Sequence, residues 1–157
     1  MAYIYQELLT DRAKELLTWL NPAVKMTHDL QAIDAELHDL KKTGDEYDEA
    51  SAEAVRNATA LRTELFGKLA WYRLKIMDLI NATDFRTADY VVRERTAVLI
   101  RHVAIDHFVR GYYVTSSRGD YSIMTKYNLS LDTAKRLYRA AVNRMAVVWD
   151  GSKPKPP

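Results

Sequence analysis

Four basic side chains, Lys135, Arg136, Arg139 and Arg144, recur along a stretch with no acidic residue between Asp132 and Asp150. Carried on one helix, such residues neutralise phosphates and reach base edges, which is the chemistry of nucleic-acid binding. The surrounding residues supply that helix. Ser130 is placed to cap it, Asp132 suits the positive end of its dipole, and Leu131, Ala134, Leu137, Ala141, Met145 and Val148 recur at three-to-four spacing as one apolar stripe. The four basic residues fall largely off the stripe and are expected to face outward. Upstream, Ile123 and Tyr127 lie four apart and can point inward together, Asn128 adopts a left-handed conformation at low cost, and Leu129 plugs the bend. The pattern predicts a short helix, a tight turn and a basic helix over about 130–149.

Other reactive groups are sparse. His102 and Asp106 are four apart and suit an imidazole–carboxylate pair on one helical face, but no second reactive group stands beside them, so a structural pair or a solvated edge is expected. His102 and His107 fall on different faces, and His28 and His38 lie in another helix, so no metal site and no cofactor is expected. The chain has no nucleophile elbow, phosphate loop or His-Glu-x-x-His, so no enzyme is expected. Tyr112, Tyr113, Tyr121, Tyr127 and Tyr138 interleave with Arg110, Arg118, Lys126 and Arg139, a mixture that also suits stacking on single-stranded bases, although Tyr127 fits a core slot.

Charge is polarised along the chain. Residues 1–54 hold 5 Lys/Arg against 12 Asp/Glu, whereas residues 55–157 hold 18 against 9. The C-terminal part therefore suits a polyanion, and the N-terminal part suits solvent or a protein. No apolar run approaches the roughly 20 residues needed to span a bilayer, the start lacks the pattern of a secretion signal, and the absence of cysteine fits a reducing, cytoplasmic interior.

The elements that must position the basic helix are also helical. Ile4, Leu8, Leu9, Leu16, Leu17 and Leu20 predict a first helix, ended at Asn21-Pro22. Leu30, Ile33, Leu37 and Leu40 predict a second, from about Thr27, with a coiled-coil seam and a stop at Gly44. A long helix from about Glu49 to Asn81 places Ala54, Ala58, Leu61, Leu65, Leu69, Tyr72, Ile76 and Leu79 on one side, antiparallel to the second. About 15 residues would thus face about 30, so half of the longer helix, with Phe66, Trp71, Tyr72 and Ile76, must bury its stripe elsewhere, on the C-terminal module or on another protomer. A central helix is expected over about 85–110, opened by Thr83 or Asp84 and apolar through Tyr90, Val91, Val98, Leu99, Val103, Ile105, Phe108 and Val109. Gly111 to Gly119 is irregular, with Tyr112 to Thr115 passing briefly through extended geometry.

The residues Ile123, Tyr127, Asn128, Leu129, Ala134 and Leu137 resemble the hydrophobic template of a helix-turn-helix, with Asn128 at the usual turn glycine. Met124 stands where the template is small, which implies a wider crossing. With the helix that ends near Gly111, the last 65 or so residues resemble a sigma-factor region-four module, and the whole chain is similar in organisation to phage late transcription regulators of the ArpU and RinA type. The expected fold is all-α: an N-terminal antiparallel helical hairpin (1–82), a helix-turn-helix module (83–150) and a disordered tail (151–157). The resemblance implies a regulator that binds double-stranded DNA as a homodimer. Lys135, Arg136 and Arg139 would face the groove, Ser130 and Thr133 the phosphates at the helix entry, and Arg110, Arg118 and Lys126 the flanking backbone. The alternative is an interaction protein of a mobile element that docks on a host nucleoprotein complex.

Overall fold

The computed structural model describes residues 6–43, 48–86, 93–115 and 121–157. Among the described residues five α-helices follow one another: α1 (Asp11–Thr43), α2 (Glu49–Ala82), α3 (Glu94–Ala104), α4 (Ile123–Lys126) and α5 (Leu131–Val148), with a π-helical turn, Ile105–Val109, continuing α3. The chain is predominantly helical, and the described residues contain no strand beyond an isolated parallel bridge between Tyr113 and Ser122. No helix among them is long and apolar enough to cross a membrane.

The first correction concerns Pro22. Two helices separated at Asn21-Pro22 were expected, yet α1 runs unbroken through that proline. Proline inside a helix removes a hydrogen bond and costs about 3 kcal/mol. Here the ring is exposed, while Leu20, Ala23 and Val24 beside it are buried, so tertiary burial outweighs the local penalty. The helix also starts later than expected. Thr10 caps it by accepting from the Ala13 amide at 3.1 Å, and Leu8 before the cap is left 82% exposed. Ile4 lies outside the described residues.

Because α1 has 33 residues and α2 has 34, the two match in length, and the unmatched half expected of the longer helix does not exist. They run antiparallel. Asp34 meets Arg62 at one end, while Thr27 and Trp19 meet Arg73 and Tyr72 nearer the other, so position falls along α1 as it rises along α2. Leu30, Ile33 and Leu37 are buried within the chain itself. On α2 burial is confined to Leu69, Tyr72, Ile76 and Ile80, and Leu61 is exposed.

A division at residue 82 is not visible in the packing. One core joins Leu16 and Leu20 of α1, Ile76 and Ile80 of α2, Ile100 and Val103 of α3, Phe108 of the π turn, Ile123 of α4 and Leu137 and Met145 of α5. The central helix expected from residue 85 begins only at Glu94. Thr83 donates back to the Leu79 carbonyl at 2.7 Å to close α2, and Asp84 accepts from the Arg86 amide at 2.9 Å in a turn, so neither caps α3. Tyr90 and Val91 lie outside the described residues, and Val98, placed in the core by periodicity, is exposed.

The tail is a further correction. Residues 151–157 are not helical, as their prolines require, but they are docked. Trp19 Nε1 donates to the Pro154 carbonyl at 3.0 Å, and Lys153 pairs with Glu15 at 2.9 Å. A buried indole needs an acceptor, and an extended proline-containing backbone offers free carbonyls, which accounts for order where composition alone suggested none.

Candidate nucleic-acid interface

α4 is a single turn held down by Ile123, which is fully buried. The chain then reverses through Asn128 at φ 52°, the left-handed conformation expected of it, and the Leu129 amide donates to the Met124 carbonyl at 2.9 Å. Ser130 caps α5 as expected, accepting from the Thr133 amide at 3.2 Å and donating to the Thr133 hydroxyl at 2.9 Å. Ala134, Leu137, Ala141 and Met145 of the predicted stripe are buried, whereas Leu131 and Val148 at its ends are exposed.

α5 is buried more broadly than one stripe. Ala140, Val142 and Ala146 are also buried, in a helix that packs on both α1 and α3. Arg144 goes with them. Expected outside, it is 2% exposed, donates to the Ala140 carbonyl at 3.0 Å and reaches Glu7 at 3.5 Å. Neighbouring Asn143 bonds Glu7, the Leu8 carbonyl and the Thr10 amide, so the segment leading into α1 is fastened to this half of α5. The run Ala140-Ala141-Val142 was the available signal, since small residues on adjacent faces mark a helix approached from more than one side.

The outward basic surface is therefore the first half of α5. Lys135 is exposed and Arg139 half-buried, and neither forms an ion pair among the described residues. Arg136 lies 2.8 Å from Asp132, one turn earlier, with 23% of its side chain exposed. Arg118 lies outside the described residues.

Arg110 and Lys126 meet a group that the sequence reading assigned elsewhere. Asp106, 1% exposed in the π turn, accepts from Arg110 at 2.8 Å, from Lys126 at 2.9 and 3.0 Å, and from the Tyr127 hydroxyl. The expected His102–Asp106 pair is thus replaced, and His102 is exposed. The widened π turn and the demand of a buried carboxylate for donors explain the exchange. Burial, with the hydrogen bond and charge of Asp106, pushes the Tyr127 hydroxyl far above its ordinary pKa. Through these contacts one carboxylate ties the end of α3 to α4 and its turn. Arg110 and Lys126 remain partly exposed, with one of their two charges balanced by Asp106.

The chain after the π turn is pinned to α1. Gly111 sits at φ 77°, and a Cβ there would lie 2.4 Å from Thr27 Cγ2, so both conformation and space call for glycine. His28 Nε2 donates to the Gly111 carbonyl at 2.8 Å, and His107 Nδ1 donates to the Tyr112 carbonyl at 2.7 Å. Burial holds the His107 pKa below its ordinary value, partly opposed by that hydrogen bond. The tyrosines do not form one stacking surface: Tyr113 stacks on His28, Tyr112 meets Tyr121 edge-on, and Tyr138 meets His107 edge-on.

Compared with protein-family models, with curated proteins and with solved structures, the chain finds no match.

Proposed function

We propose that this chain binds double-stranded DNA through α4, its turn and α5 acting as a helix-turn-helix, and that it is a transcription regulator of the phage kind its pattern resembles, working in the cytoplasm. The observation that carries this reading is the capped left-handed turn at Asn128, from which α5 emerges with its exposed basic residues confined to its first half. Recognition helices read base edges from that N-terminal part, while the rest of the helix serves the core. Lys135, Arg136 and Arg139 face the groove, and Ser130 and Thr133 approach phosphates at the helix entry. Arg110 and Lys126 flank the site, joined by Asp106. A lone module makes few contacts, so the protein acts as a homodimer.

A second reading is favoured by the acidic N-terminal part and by the ion pair that already engages Arg136. In that reading the same face docks on a protein of a host nucleoprotein complex, without catalysis. A titration against duplex DNA from the neighbouring genome at several salt concentrations separates the two. DNA binding predicts retention at low salt and a logarithmic slope of about −3 or steeper per protomer, from the three basic side chains of α5 with Arg110 and Lys126 adding to it. No retention at low salt, with a host protein recovered in a pull-down, overturns DNA binding in favour of docking.

A further inference from the structure

Asp106 receives more donors than its charge requires. It is 1% exposed, and Arg110, Lys126 and the Tyr127 hydroxyl all donate to it, although one cation already neutralises it. A carboxylate that served only to fasten α4 to the π turn would be satisfied by that hydroxyl and by Lys126, which spans both of its oxygens at 3.0 and 2.9 Å. Arg110 is the surplus. Its guanidinium keeps 56% exposure, donates to Asp106 through Nη1, and has no second carboxylate partner among the described residues.

The two cations stand at one spacing. Arg110 Nη1 and Lys126 Nζ bond the same oxygen, Oδ1, at 2.8 and 3.0 Å, so they lie no farther apart than two hydrogen bonds, within reach of two oxygens of a single phosphate. Lys126 is held further by two rings, its ammonium lying 5.2 Å from the Tyr112 centroid and 5.3 Å from that of Tyr127. A lysine so fixed has already lost the rotamer freedom that binding an anion would otherwise take from it. The trio of Arg110, Lys126 and Asp106 carries one net positive charge, and both of its cations reach solvent.

We propose that Arg110 and Lys126 form a site for one phosphate group, and that Asp106 is its positioning residue, setting the spacing of the two donors while cancelling one of their charges. The site needs only phosphate chemistry; that the phosphate belongs to a duplex rests on the proposed function. Each cation is then indispensable, because without either one Asp106 and the remaining cation form a neutral pair with no attraction for an anion. Arg110→Ala and Lys126→Ala should each lower the salt slope of duplex binding by about one unit, alike on specific and random sequences.

Asp106→Asn separates position from charge. It raises the net charge of the trio by one, so charge alone predicts tighter duplex binding and a steeper salt slope, whereas loss of the fixed spacing predicts binding about tenfold weaker, as for a lost hydrogen bond between charged groups. Asp106→Asn combined with Arg110→Ala restores the wild-type net charge with Lys126 alone, and is expected to bind as weakly as Asp106→Asn. Tighter binding by the single variant, or wild-type affinity in the double, overturns the positioning role; circular dichroism checks that both are folded. The unaltered chain supplies a test that no folding defect touches. Inorganic phosphate, added against chloride at matched ionic strength, is expected to shift the nuclear magnetic resonance signals of the Arg110 guanidinium and the Lys126 ammonium together and saturably. No shift at either overturns the site, whatever the duplex titration gives. Saturable shifts without retention of duplex at low salt keep the site and overturn its assignment to DNA. Duplex binding whose salt slope neither Arg110→Ala nor Lys126→Ala changes overturns the site and keeps the DNA reading.

Discussion

The two halves of α5 carry their basic residues to opposite fates. Lys135, Arg136 and Arg139 in the first half keep some contact with water, whereas Arg144 in the second lies among buried alanines and reaches Glu7. The first half carries four charged residues, Asp132, Lys135, Arg136 and Arg139, and the second only Arg144 among alanines and valines. Packing follows that difference: Ala140, Ala141, Val142, Met145 and Ala146 are all buried, and Asn143 and Arg144 are bonded to Glu7 ahead of α1. A basic residue thus joins a binding surface only after packing has decided which part of its helix stays open.

Four substitutions and one pH change would break or sharpen that contrast. The largest effect is expected at Leu137, mid-stripe and buried, where Leu137→Ala should lower stability by about 2–5 kcal/mol in denaturant melts. Arg144→Ala should cost about 3 kcal/mol, the lower end for a broken buried pair, because Glu7 keeps some exposure. Stability unchanged in Arg144→Ala would return that residue to the surface and dissolve the contrast. Asp106→Asn weakens the contacts that hold Arg110, Lys126 and Tyr127, and a loss of about 1.5–3 kcal/mol is expected from hydrogen bonds to a charged group. Lys135→Ala should change stability by less than about 0.5 kcal/mol, as for exposed sites generally.

The pH dependence tests the junction between the π turn and α1. His107 has a lowered pKa in the folded chain, so the unfolded chain binds its proton first as pH falls. Its contribution is complete above the ordinary histidine value of about 6.5 and declines below it. Tyr127 acts at the other end. Its raised pKa makes its contribution complete below the ordinary tyrosine value of about 10 and lost as pH rises beyond it. Equilibrium melts across pH should therefore show less alkaline decline in Tyr127→Phe than in the wild type.

Much of the fold was legible because it is written in short-range spacing. The bounds of α2 and α5, the Ser130 cap and the left-handed Asn128 follow from periodicity and side-chain preference. The misses share a different cause. Pro22 stayed inside α1, the tail docked on Trp19, Asp106 turned from His102 to Lys126 and Tyr127, and Arg144 went inside; each depends on partners far along the chain. Asp106 was nevertheless readable in part. A carboxylate between Ile105 and Phe108 requires cationic or hydroxyl donors, and Arg110 was in range, although Lys126 and Tyr127 come from another helix.

The most direct measurement of the central claim is the salt slope of duplex binding for Lys135→Ala with Arg139→Ala, set beside Lys126→Ala and the wild type. If the first half of α5 enters the groove, the double variant should lower the slope by about two units per protomer and erase preference for the specific duplex. Lys126→Ala should lower it by no more than about one, with part of its charge already balanced by Asp106. A double variant that binds specific and random duplexes with the wild-type slope would contradict the account.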